Sequence, residues 1–359
     1  MKPENIKKLP REGIDKILIR GTNWIGDAIL TLPAVAAIRA TYPQAHIAVL
    51  VKPWVADIYE LFSAVDEIII YENKFDTPTG VFRLARMLKG KKFDVAILLQ
   101  NAIEAAIIVL AAGIPLRAGY DSDTRGLLLT HRVHCTEEIR KVHQIDYYLE
   151  MVKALGCVPV DREMHLESKI NPLDVQDILR KFIPETKKTI IGIAPGATYG
   201  PAKRWFPDRF AAVADKLNEH FSSQGIILGG KADWEVAQEV QKLARTKLIN
   251  LAGKTTLREA IYLISQCRLF ISNDSGLMHI AGALNIPTIA LFGSTNPATT
   301  APAGNKSTIV RREVSCSPCL KETCPTDFRC MRLISVEDVF KAAQNLMRLA
   351  DSESHISEA

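Results

Sequence analysis

Short apolar runs alternate with helix-length segments along almost the whole chain, and that alternation constrains the fold more than any other feature. Lys16–Arg20, His46–Val51, Glu67–Tyr71 and Asp94–Leu99 read as strands. Ala28–Ala40, Trp54–Phe62, Thr79–Lys89 and Ile103–Ala112 read as the helices that follow them. Strands joined through helices run parallel, so the expected class is α/β with parallel sheets. Pro33 has to sit in the first turn of its helix or kink it. Leu116–Gly119 is expected as a short edge strand and Val142–Leu155 as a further helix.

Gly156–Lys188 interrupts the rhythm with Pro159, Pro172 and Pro184, mixed charges and one helical piece at Leu173–Phe182. The alternation then restarts with strands Thr189–Ala194, Gln224–Leu228 and Leu248–Asn250 and helices Pro207–His220, Ala232–Ala244 and Thr256–Ser265. Phe270–Gly293, FISNDSGLMHIAGALNIPTIALFG, is strand, loop, helix and strand in one piece. Ser307–Val310 is a late strand, Ser335–Leu349 a terminal helix, and Asp351–Ala359 a polar tail expected to fray. The expected division is an N-terminal Rossmann-like domain over 1–160 and a connection over 161–188. A C-terminal Rossmann-like domain over 189–334 follows, then a helix and tail over 335–359. A length of 359 residues with 47% apolar content supports two domains with real cores. Ligands of such sheets bind beyond the carboxyl ends of the strands, where the strand order reverses. The strand-to-helix loops should therefore carry the chemistry.

Four loops stand out. In GTNWIGDAILTLPA, Gly21 and Gly26 allow close backbone approach. Asp27 suits a helix cap or a base that takes a proton from a substrate hydroxyl. In APGATYGPAKRWFPDRF, Gly196, Thr198 and Gly200 offer donors and Lys203 a point charge. The set suits a diphosphate, although it is not a Walker A motif. In LGGKADWEVA, Asp233 suits a helix cap or an acceptor for a ribose hydroxyl, and the sequence does not separate the two. In SNDSGLMH, Asp274 and Ser275 are cap types, Gly276 admits a ligand, and His279 shares a face with Ser275. A helix start suits a phosphate, but an ordinary capped helix with a histidine reads the same. Asp121-Ser122-Asp123 has divalent-cation spacing, yet two nearby Asp are more often turn formers. No G-x-G-x-x-G follows the first strand and no acid ends the second, which argues against a dinucleotide oxidoreductase.

The net charge of +5 is too mild for nucleic acid and suits an anionic substrate or membrane face. Arg83, Arg86, Lys89, Lys91 and Lys92, then Arg117, Arg125, Arg132, Arg140 and Lys141, lie in the first half. Each alone reads as surface charge; as a group they suit a polyanionic acceptor. No apolar run reaches the ~18 residues of a membrane span. MKPENIKKLPREGIDK lacks a signal-peptide core, so a cytoplasmic location is expected. Cys135, Cys157 and Cys267 are expected as buried thiols. Cys316, Cys319, Cys324 and Cys330 crowd into VSCSPCLKETCPTDFRCM. The C-x2-C pair fits structural zinc and the later spacings do not fit a standard finger, so zinc and reduced packing thiols both stay open.

Four ordered blocks carry a resemblance over nearly the whole chain: GTNWIGDAILTLPA, APGATYGPAKRWFP, NDSGLMHIAGALNIPTIALFGSTNP and the CSPC segment with its two later cysteines. Together they resemble the ADP-heptose:lipopolysaccharide heptosyltransferases, glycosyltransferase family 9, and most of all those that add the second inner-core heptose. The resemblance implies a GT-B fold, two Rossmann-like domains facing a central cleft. It implies inverting transfer of L-glycero-D-manno-heptose from ADP-heptose to the first heptose of phosphorylated heptosyl-Kdo2-lipid A. Asp27 would be the catalytic base and Lys203 would hold the diphosphate. Asp274, Ser275, Gly276 and His279 would line the donor site, with Thr198 and Asp233 as further donor contacts. No tightly bound cofactor is implied, with room left for Mg²⁺ assistance, and no nucleic acid. The expected location is the cytoplasm, peripheral at the inner face of the inner membrane. A lysine and a helix dipole can steady a leaving diphosphate in place of a metal, so the weak D-x-D agrees with this reading. The alternatives are a first-heptose transferase, another ADP- or UDP-sugar enzyme such as an epimerase, or a non-catalytic nucleotide-sugar binder.

Overall fold

The computed structural model describes residues 6–164, 166–184 and 188–357. The first five and last two residues, and residues 165 and 185–187 of the expected connection, lie outside the described residues. The chain divides into two compact units, Met1–Met164 and His165–Ala359.

The first unit runs β1 (Lys16–Arg20), α1 (Ile25–Leu30), α2 (Leu32–Thr41), β2 (His46–Val51), α3 (Ala56–Glu60) and β3 (Glu67–Ile70). It continues with α4 (Pro78–Lys91), β4 (Val95–Leu98), α5 (Ile103–Ala111), β5 (Leu116–Tyr120), β6 (His131–Val133) and α6 (Gln144–Ala154). The sheet order is β3-β2-β1-β4-β5-β6, with every pair parallel. The order therefore reverses between β1 and β4. β1, β2 and β4 are buried almost end to end, as a parallel sheet covered on both faces requires. The strand at 116 is not an edge, because β6 pairs outside it. Three residues reading His-Arg-Val are too short and polar to signal a strand alone.

The single helix expected over 28–40 is two helices. Pro33, in the first turn of α2, has no N–H to give the Ile29 carbonyl. Thr31 sits at the break and turns its hydroxyl back to the Ala28 carbonyl at 2.7 Å and to the Tyr59 hydroxyl at 2.9 Å.

The second unit runs α7 (Pro172–Phe182), β7 (Ile190–Ala194), α8 (Pro207–Phe221), β8 (Gln224–Ile227), α9 (Trp234–Leu243), β9 (Ile249–Asn250) and α10 (Leu257–Ser265). It continues with β10 (Leu269–Asn273), α11 (Gly276–Ala283), β11 (Thr288–Phe292), α12 (Pro297–Thr300), β12 (Ser307–Arg311), α13 (Arg329–Arg332) and α14 (Val336–Ser357). Its sheet order is β12-β11-β10-β7-β8-β9, again all parallel, and the order reverses between β10 and β7. The helix of the expected connection, α7, packs on α10, and Lys181 Nζ donates to Glu259 Oε1 at 2.7 Å. α14 sends Val339, Ala343, Leu346 and Met347 into the same core as Trp205 and Met331. The residues expected to fray continue α14 as far as Ser357.

Candidate active site

In the first unit the strand order reverses at the carboxyl end of β1. A methyl at Gly21 would come within 2.6 Å of Val51 Cγ1 and 3.0 Å of the Tyr59 hydroxyl, so only glycine lets the chain leave β1 here. Arg20 is buried beneath this turn. It donates to the Leu50 carbonyl at 3.3 Å and to Asn23 Oδ1 at 3.0 Å, and its guanidinium lies 5.2 Å from the Tyr71 ring centre. Lys52 Nζ sits 4.1 Å from the same ring and bonds Asp76 at 2.6 Å. Asp27 does not cap α1. Trp24 takes the cap position in extended backbone, because the helix starts three residues earlier than its apolar run. Asp27 stands half-buried in the first turn, where exposed N–H groups favour a carboxylate. Burial, and then the charges around it beginning with Asp27, hold the Tyr148 phenol well above its usual pKa.

In the second unit the reversal lies between β7 and β10, and the loops after these two strands carry most of the expected donor residues. Asn273, buried at the end of β10, ties them together. Its amide donates to the Pro195 carbonyl at 2.8 Å and its Oδ1 accepts the Trp205 N–H at 3.0 Å. Lys203 Nζ donates to Asp274 Oδ2 at 2.7 Å, and Thr295 Oγ1 donates to the same oxygen at 2.7 Å. The two charged side chains are only 14% and 5% exposed. Lys203 Nζ is also 5.1 Å from the Tyr199 ring centre. Ser275 occupies the cap position of α11 in extended backbone and makes no side-chain cap bond. Its hydroxyl pairs with Ser272 Oγ at 3.0 Å instead. Gly276 opens α11, and buried His279 follows in its first turn, its N–H 3.4 Å from the Ser275 carbonyl. Asp233 closes the turn ahead of α9 by accepting the Gly230 N–H at 2.9 Å. A methyl at Gly196 would fall 2.1 Å from Asp233 Oδ1, so the β7 loop passes directly over that carboxylate. Thr198 lies exposed on the same loop.

Two adjacent parallel strands thus present a lysine, a carboxylate that holds it, and a helix start whose cap side chain leaves the first N–H groups alone. Such an arrangement suits an anion. Residues 81–328 match the family described as glycosyltransferase family 9 (heptosyltransferase). The chain belongs to this family. Lipooligosaccharide heptosyltransferase 2 of Haemophilus influenzae is 32% identical over 314 residues, covering 82% of this chain and 88% of its own length. Lipopolysaccharide heptosyltransferase 2 of Escherichia coli is 30% identical over 316 residues, with the same shares. The solved structure of E. coli ADP-heptose lipopolysaccharide heptosyltransferase II superposes with a TM-score of 0.82 at 27% identity, covering 94% of this chain and 99% of that one. The two parallel six-stranded sheets are the GT-B fold of these glycosyltransferases.

In this family 9 glycosyltransferase the four late cysteines sit beside the β7 loop. All four line one cavity of about 80 Å³ together with Ala202 and Ser294. The Cys319 and Leu320 N–H groups donate to the Ser294 carbonyl at 3.0 and 2.8 Å. The Ala202 N–H donates to the Glu322 carbonyl at 2.9 Å, and the Tyr199 hydroxyl to the Leu320 carbonyl at 2.8 Å. Among the described residues no three Cys, His, Asp or Glu side chains gather closely enough to hold a metal ion. The thiols therefore do not fit a zinc site as they stand. The backbone of this cysteine segment, through residues 319, 320 and 322, ties the lysine loop to the loop after β11.

Asp121 and Asp123 do not share a site. Asp121 bonds His134 Nδ1 at 3.0 Å and the Cys135 N–H at 2.9 Å, while Asp123 takes a left-handed turn conformation. Two arginines leave the expected polyanion surface. Arg125 is fully buried and braces the Tyr120 carbonyl at 2.8 Å and Asn101 Oδ1 at 3.0 Å. Arg117 bonds the Leu128 and Ile114 carbonyls at 2.8 and 2.7 Å. Sequence reasoning missed Asn273 and Thr295 as holders of the site. An asparagine ending an apolar strand was the available signal for the first. Nothing local marks the second.

Proposed function

We propose that this enzyme transfers heptose from ADP-heptose to the first heptose of the lipopolysaccharide inner core, with inversion at the anomeric carbon. The observation that carries the reading is the Lys203–Asp274–Thr295 set beside the start of α11, at the reversal point of the second sheet. The relatives named heptosyltransferase 2 support the same step, and the solved E. coli ADP-heptose lipopolysaccharide heptosyltransferase II supports the same donor. In the reaction the acceptor oxygen forms a bond to the anomeric carbon and its proton passes to Asp27. The bond from that carbon to the β-phosphate oxygen breaks, and its electron pair leaves with ADP. Charge then builds on the diphosphate, where preorganised donors act most strongly. Lys203 has three N–H donors and gives one to Asp274, which fixes the ammonium and leaves two directions for phosphate oxygens. We assign Gly276, Ser275 and Thr198 to the phosphates as further donors, and Asp233 and His279 to the walls of the donor pocket. The acceptor is anchored in lipid, so the enzyme works peripherally at the inner face of the inner membrane.

The test is ADP release from ADP-heptose, with acceptor that carries one heptose and with heptose-free acceptor. Release only with the former is expected. Release with heptose-free acceptor assigns the first heptose instead, and no release with either rejects the transferase. Asp27→Asn should lower turnover about a hundredfold or more while ADP binding persists, as loss of a general base does. An unchanged rate rejects Asp27 as the base.

A further inference from the structure

α5 is apolar almost all round, yet only one side of it meets the protein. Ala105, Ala106, Ile108 and Val109 are buried in the core of the first unit, while Ile103, Ile107 and Leu110 stand in solvent at positions i, i+4 and i+7. A helix apolar on every side is normally covered on every side. The neighbouring elements continue the feature. α4 packs beside α5 and exposes Phe82 (69%) and Met87, and the short turn Arg125–Leu128, which also packs on α5, exposes Leu127 (91%). Charge on α4 has one sign. Residues 77–92, TPTGVFRLARMLKGKK, contain no acid, and Arg83, Arg86 and Lys89 lie exposed between Phe82 and Met87 or just beyond. The one acid on α5, Glu104, is engaged by the Tyr71 hydroxyl. Among the described residues no helix is long and apolar enough to cross a membrane.

We infer that the outer side of α4, α5 and the Arg125–Leu128 turn is the surface by which this unit lies on an anionic lipid bilayer. The inference rests on the lipid-anchored acceptor of the proposed function, and charge complementarity selects the occupant. Protruding Phe82, Ile107 and Leu127 enter the boundary between headgroups and acyl chains, and Arg83, Arg86 and Lys89 meet anionic headgroups. Phe82, Ile107 and Leu127 belong to neither the donor nor the acceptor chemistry.

The experiment is co-sedimentation of the full chain with vesicles of phosphatidylcholine alone or with added phosphatidylglycerol. Binding to the anionic vesicles only, weakened by salt, is expected. Leu127→Ser and Ile107→Ser should each reduce binding about tenfold or more, and Arg83→Gln or Arg86→Gln about fivefold. Melting temperature should stay at the wild-type level in all four variants, and ADP release with a deacylated, soluble acceptor should stay at the wild-type level in Leu127→Ser and Ile107→Ser. Wild-type protein that ignores anionic vesicles, or variants that bind them as wild type does, overturn the inference even if transferase activity is present. Variants that instead change the oligomeric state also overturn it and make the surface a contact between copies. Vesicle binding without ADP release on any acceptor would leave the surface standing and sink the transferase reading.

Discussion

Asp274→Ala puts the central ion pair under the hardest test. Asp274 is almost wholly buried and Lys203 mostly so, 2.7 Å apart. Removing one partner of a buried pair strands the other charge, at a cost of about 3–5 kcal/mol. Lys203 keeps some access to water, which favours the low end, while Thr295 loses its acceptor, worth about 1 kcal/mol. The expected loss is therefore about 4 kcal/mol. At roughly 2–4 °C per kcal/mol for a unit of this size, melting should fall by about 8–16 °C. Lys203→Met strands Asp274 instead, but Thr295 still donates to it, so about 2–3 kcal/mol is expected. The double variant strands neither charge. It should melt no lower than Asp274→Ala alone, a coupling of at least about 2–3 kcal/mol. Urea unfolding midpoints and thermal melts of the four proteins complete the cycle. If the double variant loses the sum of the two single losses, the pair is not coupled and Asp274 does not hold Lys203. Isothermal titration with ADP adds a functional arm, in which Lys203→Met should weaken binding about 10- to 100-fold.

Gly196→Ala should destabilise the chain by about 1–3 kcal/mol, because its methyl would lie 2.1 Å from Asp233 Oδ1. Adding Asp233→Ala should recover most of that in the same melts, and no recovery would reject the contact. Asn273→Ala leaves the Pro195 carbonyl and the Trp205 N–H buried without partners, about 1–3 kcal/mol each, so limited proteolysis should cut within 196–204 faster than in wild type. An unchanged cleavage rate would refute its role as a tie. Buried His131 has its pKa held below the usual 6.5, first by burial and then by Lys7. The folded chain therefore binds fewer protons there than the unfolded chain. Its contribution is full above about pH 6.5 and is lost as pH falls from there toward the folded pKa. His131→Gln should flatten the dependence of the urea midpoint between about pH 7.5 and 5.5, and an unaltered slope would show that other groups set it.

The alternation of apolar runs was enough to read two parallel sheets, because a buried parallel strand must be apolar on both faces and shows this in four or five residues. It could not show β6, whose His131 and Val133 are buried but whose centre is an exposed arginine. Nor could it place the break at Thr31, which depends on Pro33 and on the Tyr59 hydroxyl from α3. In the candidate site, Lys203, Asp274, Ser275 and Gly276 come together because strand order puts their loops side by side. Asp27 was legible as a carboxylate at a strand-to-helix turn, although the cap itself is Trp24. Arg125 misled for a physical reason. A charged residue in a polar turn reads as surface, and its burial follows from carbonyls on two other segments that no local pattern announces.

The residues that hold the Lys203 loop come from elsewhere in the chain. The β7 loop from Pro195 to Arg204 contains only one short turn of regular structure, Pro201–Lys203. Fixing such a loop costs roughly 1–2 kcal/mol per residue in backbone entropy. Asn273 ties both of its ends, Asp274 holds its lysine, and the cysteine loop binds its middle through Leu320 and Glu322. That cost is thus met during folding, by contacts from β10 and from residues 314–330, and not when the donor arrives. In the proposed reaction, a lysine already oriented for charge that grows only in the transition state would lower the barrier without first having to be ordered. The cysteine loop therefore acts as a positioning element for Lys203, a role that spacing alone gave no reason to expect.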